Sequence, residues 1–247
     1  MRFTPLTSSP QSALPGQKLG YAWYVVALLL LAYTLSFIDR MILSLLVGPI
    51  RHDLGISDTQ MSLLMGLAFA IFYSALGLPI GLAADRMNRK NLIVAGVAIW
   101  SLMTALCGLA RSYAILFLVR IGVGVGEASL SPASYSLLGD YFPREKLGRA
   151  IAIYSLGVPI GSGIALVLGA FVVKLVTEGP AVIVPLLGQM EPWRLVFLVV
   201  GLPGLLVALL FFLTIREPAR SLRMAEPVPG EFMAFLKLNR VAVSSHF

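Results

Sequence analysis

Four stretches of this chain, residues 61–84, 92–110, 150–173 and 195–215, contain no charged side chain at all. Two more, 21–50 and 112–139, are broken only by Asp39-Arg40 in the first and by Arg120 and Glu127 in the second. A helix rises about 1.5 Å per residue and the hydrocarbon core of a bilayer is roughly 30 Å thick, so about 20 apolar residues suffice to cross it. Each of the six runs is close to that length or longer. Inside lipid the backbone must satisfy its own hydrogen bonds, so runs of this length read as helices. The expectation is an all-α membrane protein with six transmembrane helices.

Composition agrees. Hydrophobic residues make up 58% of the sequence and charged residues 13%, with a mean hydropathy of +0.88; soluble domains carry roughly 25% charged residues. Residues 1–19 are polar with several Pro and Ser, and the first apolar run is too long for a secretory signal, so they read as a cytoplasmic tail. The lone Cys107 lies inside the third run, which leaves disulfides no part.

The net charge of +7 raises the question of a nucleic-acid partner, and its distribution answers it. With the N-terminus placed inside, Arg51, Arg111, Lys174 and Arg194 fall outside and Arg40 and Arg120 within spans. The other thirteen Lys and Arg fall inside. That bias follows the positive-inside rule and places both termini in the cytoplasm of a plasma (bacterial inner) membrane. The basic balance therefore reports orientation; no nucleic acid is expected. Short turns at 85–91 and 110–113 make successive helices antiparallel neighbours. The only sizeable outer loop is 177–191. Beyond residue 215 the sequence Arg216-Glu-Pro-Ala-Arg, then Glu226-Pro-Val-Pro-Gly, reads as the start of a cytoplasmic linker over 216–247, within which 231–240 suits a short amphipathic interfacial helix. Residues 20–215 form the membrane bundle.

Charges inside a span are costly and mark candidate sites. Asp39 and Arg40 are adjacent, so they leave their helix about 100° apart and each needs a partner elsewhere. They read as an ion or substrate site lining a cavity, or as structural salt bridges to other helices. Arg120 and Glu127 stand seven residues apart in Arg120-Ile-Gly-Val-Gly-Val-Gly-Glu127, which puts both on one stripe of the fourth helix. Gly122, Gly124 and Gly126 let another helix come close. Desolvation penalises a carboxylate's charged form, and Glu127 has no base beside it in sequence; it reads as a proton carrier or as a permanently neutral, hydrogen-bonded group. At the cytoplasmic face Asp85, Arg86, Arg89 and Asp140 read as a solvated rim or as a latch between helices. In the fifth span Gly157, Pro159 and Gly161 predict a kink or a close crossing. Trp193, opening the sixth span, suits an outer aromatic belt.

The loop Gly81-Leu-Ala-Ala-Asp85-Arg86-Met-Asn-Arg89-Lys90 resembles the signature between the second and third helices of the major facilitator superfamily, G-x-x-x-D-R-x-x-R-[KR]. Arg120 with its glycines is similar to that superfamily's fourth-helix motif, and Gly157-x-Pro159-x-Gly161-x-Gly163 more loosely to its fifth-helix motif. Ser36-Phe37-Ile38-Asp39-Arg40, Gly126-Glu127-Ala128 and Pro192-Trp193-Arg194 look like spinster-type members. The resemblance covers about residues 20–218. It implies two inverted three-helix repeats forming the N-terminal half of a major facilitator fold, with a solute cavity near the midplane. It also implies proton coupling through Asp39 and Glu127, solute or coupling contacts for Arg40 and Arg120, and a conformational latch built on Asp85, Arg86, Arg89 and Asp140. The fifth-helix motif lacks the Gly-Pro pair and final Gly-Gly of drug antiporters, so drug export does not follow.

Family members have twelve helices, so the four intramembrane charges are expected to face a cavity that a second six-helix half covers, on the same polypeptide or a partner chain. The expected partners are thus lipid, that half, protons and a small organic or amphipathic lipid-like solute. Other readings are a six-helix channel, against which stands the lack of a filter-like or Arg-repeat sequence, and an intramembrane enzyme. His52 and His246 lie outside the spans and no metal-binding or phosphate-loop motif occurs, so neither cofactor nor metal is expected.

Overall fold

A computed structural model of the chain describes residues 19–178, 182–184 and 188–219. The N-terminal tail (residues 1–18), most of the proposed linker (220–247) and its amphipathic segment 231–240 lie outside the described residues, as does the side chain of Asp85. In chain order the elements are α1 (Leu19–Leu45), α2 (Val47–Leu54), α3 (Asp58–Met65), α4 (Leu67–Arg86), α5 (Arg89–Cys107), α6 (Tyr113–Glu127), α7 (Leu130–Tyr141), α8 (Arg144–Ser155), α9 (Gly157–Glu178), β1 (Val182–Val184), β2 (Gly188–Met190) and α10 (Pro192–Thr214).

Among the described residues, six helical stretches are long and apolar enough to cross a membrane. Three are subdivided: the second at Gly66, the fourth at Ala128-Ser129 and the fifth at Leu156. The loop between the fifth and sixth spans is not wholly irregular, since β1 and β2 pair antiparallel with Val182 opposite Met190. The loop between the first two spans is ordered as well. Gly55 takes φ 61°, where a side chain would be strained, and closes α2. Ser57 and Gln60 then form a capping box that starts α3.

Helix α5 packs against α10 on one side and α6 on the other; α1 packs mainly against α9, and α4 against α6. This is the pattern produced by exchanging the first three spans with the last three, as inverted repeats require. Small residues set the closest crossings. A Cβ on Gly126 would stand 2.6 Å from the Trp100 amide nitrogen and 2.8 Å from the Gly96 carbonyl, and one on Gly201 would stand 2.6 Å from the Ala105 nitrogen. Two apolar clusters fill the interior. One gathers Val25, Leu29, Trp100, Tyr154 and Phe211; the other gathers Ile42, Leu46, Ile50, Trp193 and Phe197. On α1, Asp39 and Arg40 fall in the interval between them.

Candidate functional site

In that interval α1 and α6 bring four charged side chains together, and the pairs cross. Arg40 Nη2 and Nε lie 2.5 and 2.6 Å from Glu127 Oε2. Asp39 Oδ2 lies 3.7 Å from Arg120 Nη1. Ser36, one turn before Arg40 on the same face of α1, donates its hydroxyl to Glu127 Oε2 at 2.7 Å. Thr104 on α5 donates to Asp39 Oδ2 at 2.9 Å. Two acids and two bases thus share one buried locus with no net formal charge.

Two expectations need correcting. Glu127 has no base near it in sequence, but α1 supplies Arg40 across the helix interface. The charges were also expected to be uncovered within a six-helix half. Instead Asp39, Arg120 and Glu127 are 1–2% exposed and pair inside the bundle. Solvating each charge with another is the cheapest arrangement where water is excluded, because a buried charge left alone costs several kcal/mol, of order 3–5 when a partner is removed.

The pairing is incomplete. Asp39 Oδ1, Glu127 Oε1 and Arg120 Nε and Nη1 are buried with no hydrogen-bond partner among the described residues. Arg40 alone of the four reaches the surface, with 21% of its side chain exposed. Its guanidinium carbon lies 4.9, 4.6 and 4.9 Å from the ring centroids of Phe37, Phe69 and Tyr73, each an attraction of about 0.5–2 kcal/mol depending on desolvation. Gly124 positions part of this cage: a Cβ there would stand 2.9 Å from the Phe69 carbonyl oxygen, so only glycine lets α4 seat Phe69 against α6.

A second cluster lies at the end carrying the turn 85–91. Arg89, 3% exposed in its side chain, pairs with the Asp140 carboxylate, with Glu217 Oε1 through Nε at 2.7 Å and with the Ser136 carbonyl at 3.1 Å. Glu217 Oε2 also accepts the Lys90 amide at 2.9 Å, at the α5 N-terminus, where the helix dipole favours an anion. The segment after α10 is held in place by tyrosines. Tyr21 donates to the Thr214 carbonyl at 2.8 Å and accepts from the Arg216 amide at 2.9 Å, and Tyr141 donates to the Arg216 carbonyl. Arg86 is exposed at the end of α4 and makes no such contact among the described residues. Sequence reading missed Glu217 because it stands in what reads as a linker.

The fifth span stays helical through Leu156, where α8 passes into α9 three residues before Pro159, with Gly157 and Gly161 facing α1. Side-chain atoms there would meet Tyr33 Cβ at 2.8 Å and the Thr34 carbonyl at 2.5 Å. Gly163 faces open space. Trp193 is not part of an exposed belt. It is 1% exposed, and its indole N–H donates to Asp53 at 3.0 Å, a partner supplied by α2.

The family model of the Major Facilitator Superfamily matches residues 29–245. The chain belongs to the major facilitator superfamily. Among solved structures this superfamily chain is similar to a bacterial homolog of the human lysosomal transporter Spinster, in an inward-facing and unoccupied conformation. The two share 38% identity and a TM-score of 0.74, over 89% of this chain and 49% of that one. It is thus spinster-like within the superfamily. An MFS-type efflux pump of Mycolicibacterium smegmatis is 30% identical over 78% of this chain and 42% of its own length. A hexuronate transporter of Bacillus subtilis is 28% identical over 84% of this chain and 46% of its own. This major facilitator chain therefore spans about half, or somewhat less, of the length of the proteins it matches. Those relatives are transporters, which sets the enzyme reading aside.

Proposed function

We propose that this chain is one half of a secondary active transporter that couples movement of a small organic or amphipathic anion to protons by alternating access. The observation that carries the reading is the Arg40–Glu127 pair. When Glu127 takes up a proton, Arg40 loses its anionic partner but stays held among three aromatic rings. It then offers a cation, one edge of it at the surface, to the carboxylate or phosphate of a solute. Loss of the proton restores the pair and releases the solute. Asp39, beside Arg40 on α1, and Arg120, two turns before Glu127 on α6, repeat the logic, with Thr104 keeping Asp39 in place. The aromatic surround suits a solute with an apolar body, as the notion of a lipid-like cargo requires, and a hexuronate transporter among the relatives agrees with an anionic head.

The conformational part of the proposal rests on Arg89, Asp140 and Glu217, with Asp85 and Arg86 as neighbours. A buried charge cluster has two sharply different states, made and broken, which is what a latch needs. Pro159, which lacks an amide donor, between Gly157 and Gly161 supplies a place where the fifth span can bend. A second six-helix half, on the same polypeptide or a partner chain, completes the solute cavity, and both termini face the cytoplasm of a plasma membrane. Proteoliposomes holding the complete transporter test the reading. An imposed pH gradient should drive accumulation of an anionic amphiphile and not of its neutral ester. Equal, gradient-independent entry of both would replace the carrier with a channel.

A further inference from the structure

At the opposite end of the bundle from Arg89 lies a cavity of about 830 Å³ between the α5–α6 turn, the end of α2 and the start of α10. Its size falls within the roughly 300–1,000 Å³ of ligand pockets. Four charged side chains line it: Asp53, Arg111, Glu191 and Arg194. Two of them neutralise each other, since Arg194 Nη2 lies 2.9 Å from Asp53 Oδ2. Arg194 is further fixed by lying 4.9 Å from the Trp193 ring. The other two have no ion-pair partner among the described residues. Both are exposed: Arg111 stands in the turn, and the Glu191 carboxylate, at the start of α10, makes no side-chain capping bond to its own helix. The floor is rigid, because Gly108 sits where a Cβ would be 2.3 Å from the Arg194 carbonyl.

One lone cation and one lone anion in a single cavity ask for a zwitterion. What lies beside the cavity identifies its source. The helices that frame it, α5, α6 and α10, carry exposed apolar side chains along their length: Ile99 and Leu102, Ile115 and Leu118, Val199 and Leu202. A polar cavity at the end of an apolar flank matches a lipid with its head in the cavity and its chains along the helices. We infer that this cavity binds the phosphoethanolamine headgroup of a membrane lipid, with Arg111 on the phosphate and Glu191 on the primary ammonium. An ammonium offers N–H donors to a carboxylate, whereas a trimethylammonium offers none and a glycerol headgroup carries no cation. The site therefore prefers phosphatidylethanolamine to phosphatidylcholine or phosphatidylglycerol.

Native mass spectrometry of the delipidated, purified full polypeptide, titrated with each of the three lipids, reads this preference. Phosphatidylethanolamine is expected to bind about tenfold more tightly than the other two, a factor that corresponds to ~1.4 kcal/mol. Glu191→Gln should bring it down to the level of phosphatidylcholine while leaving that lipid unaffected. Arg111→Gln should weaken all three, and Arg111→Lys should restore most of the loss. Equal binding of the three lipids by the unmodified protein overturns the assignment, as does a Glu191→Gln variant that keeps the preference. Soluble phosphoethanolamine, lacking acyl chains, should displace no lipid at matched concentration. Displacement would overturn the lipid source and give the cavity to a free zwitterion.

Discussion

Arg40 and Glu127, 87 residues apart in the chain, meet so that both the Nε and Nη2 of one touch a single oxygen of the other, while the second carboxylate oxygen has no hydrogen-bond partner among the described residues. Arg–carboxylate pairs are frequently forks that use both oxygens. The one-sided contact leaves an acceptor open for a proton without first breaking the ion pair.

Glu127→Gln keeps the size of the side chain and an oxygen for Ser36 and Arg40, but it cannot exchange a proton. In the complete transporter, pH-gradient-driven uptake should fall at least about tenfold, the equivalent of ~1.4 kcal/mol of lost coupling. Membrane insertion should stay intact and solute exchange at equal pH should survive. Asp39→Asn should weaken driven uptake in the same direction. Proteoliposome flux with and without the gradient measures both, and full driven uptake in either variant removes that residue from coupling.

The Asp39–Arg120 contact is the looser of the two pairs, and a double-mutant cycle gauges it. Asp39→Ala leaves Arg120 buried without its counter-charge and should destabilise by about 3–5 kcal/mol. Adding Arg120→Ala should recover about 1–3 kcal/mol of that loss. Thermal unfolding in detergent reads the cycle; simple additivity of the two changes would mean the charges do not sense each other.

Removing one partner of Arg89 should unbalance the latch. Asp140→Asn leaves Glu217 and the Ser136 carbonyl in place, so the fold persists while one made contact is weakened. A shift of about 1–1.4 kcal/mol changes the ratio of inward- and outward-facing states roughly five- to tenfold. Cysteine labelling from each side of the membrane follows that ratio. Unaltered labelling in Asp140→Asn and in Glu217→Gln would return the cluster to a structural role.

Gly126→Ala tests the closest crossing. The added carbon meets Trp100 and Gly96 backbone atoms, which have no flexible end to move, so a loss of about 1–3 kcal/mol is expected. Gly139→Ala is the control, because its Cβ meets nothing within 4 Å, and there the gain in helix propensity should stabilise by up to about 1 kcal/mol. Melting temperatures that move alike in both variants would mean the crossing is not tight.

Taken alone, the sequence determined the six-span architecture and its helical character. Spans announce themselves by length and by the near-absence of charge, and lipid permits few other structures. It also singled out Asp39, Arg40, Arg120 and Glu127, because a charge in a span stands out against an apolar background. It could not say which acid would meet which base. Adjacent residues on α1 leave it about 100° apart, so their partners depend on how α1, α5 and α6 are rotated against each other; Gly96 and Gly126 set the α5–α6 crossing, and Gly157 and Gly161 set the approach of α9 to α1. Ser36 was within reach of sequence reasoning, four residues before Arg40 on the same face. Thr104, Phe69 and Glu217 were not: a threonine, a phenylalanine and a linker glutamate are ordinary until packing sets them beside a buried charge. The same holds for Trp193, read as a membrane-surface residue until the ordered turn at Gly55 brings Asp53 to its indole nitrogen. Periodicity and hydrophobicity are properties of one helix at a time, whereas ion pairing is decided between helices, where only the tertiary structure sets distance.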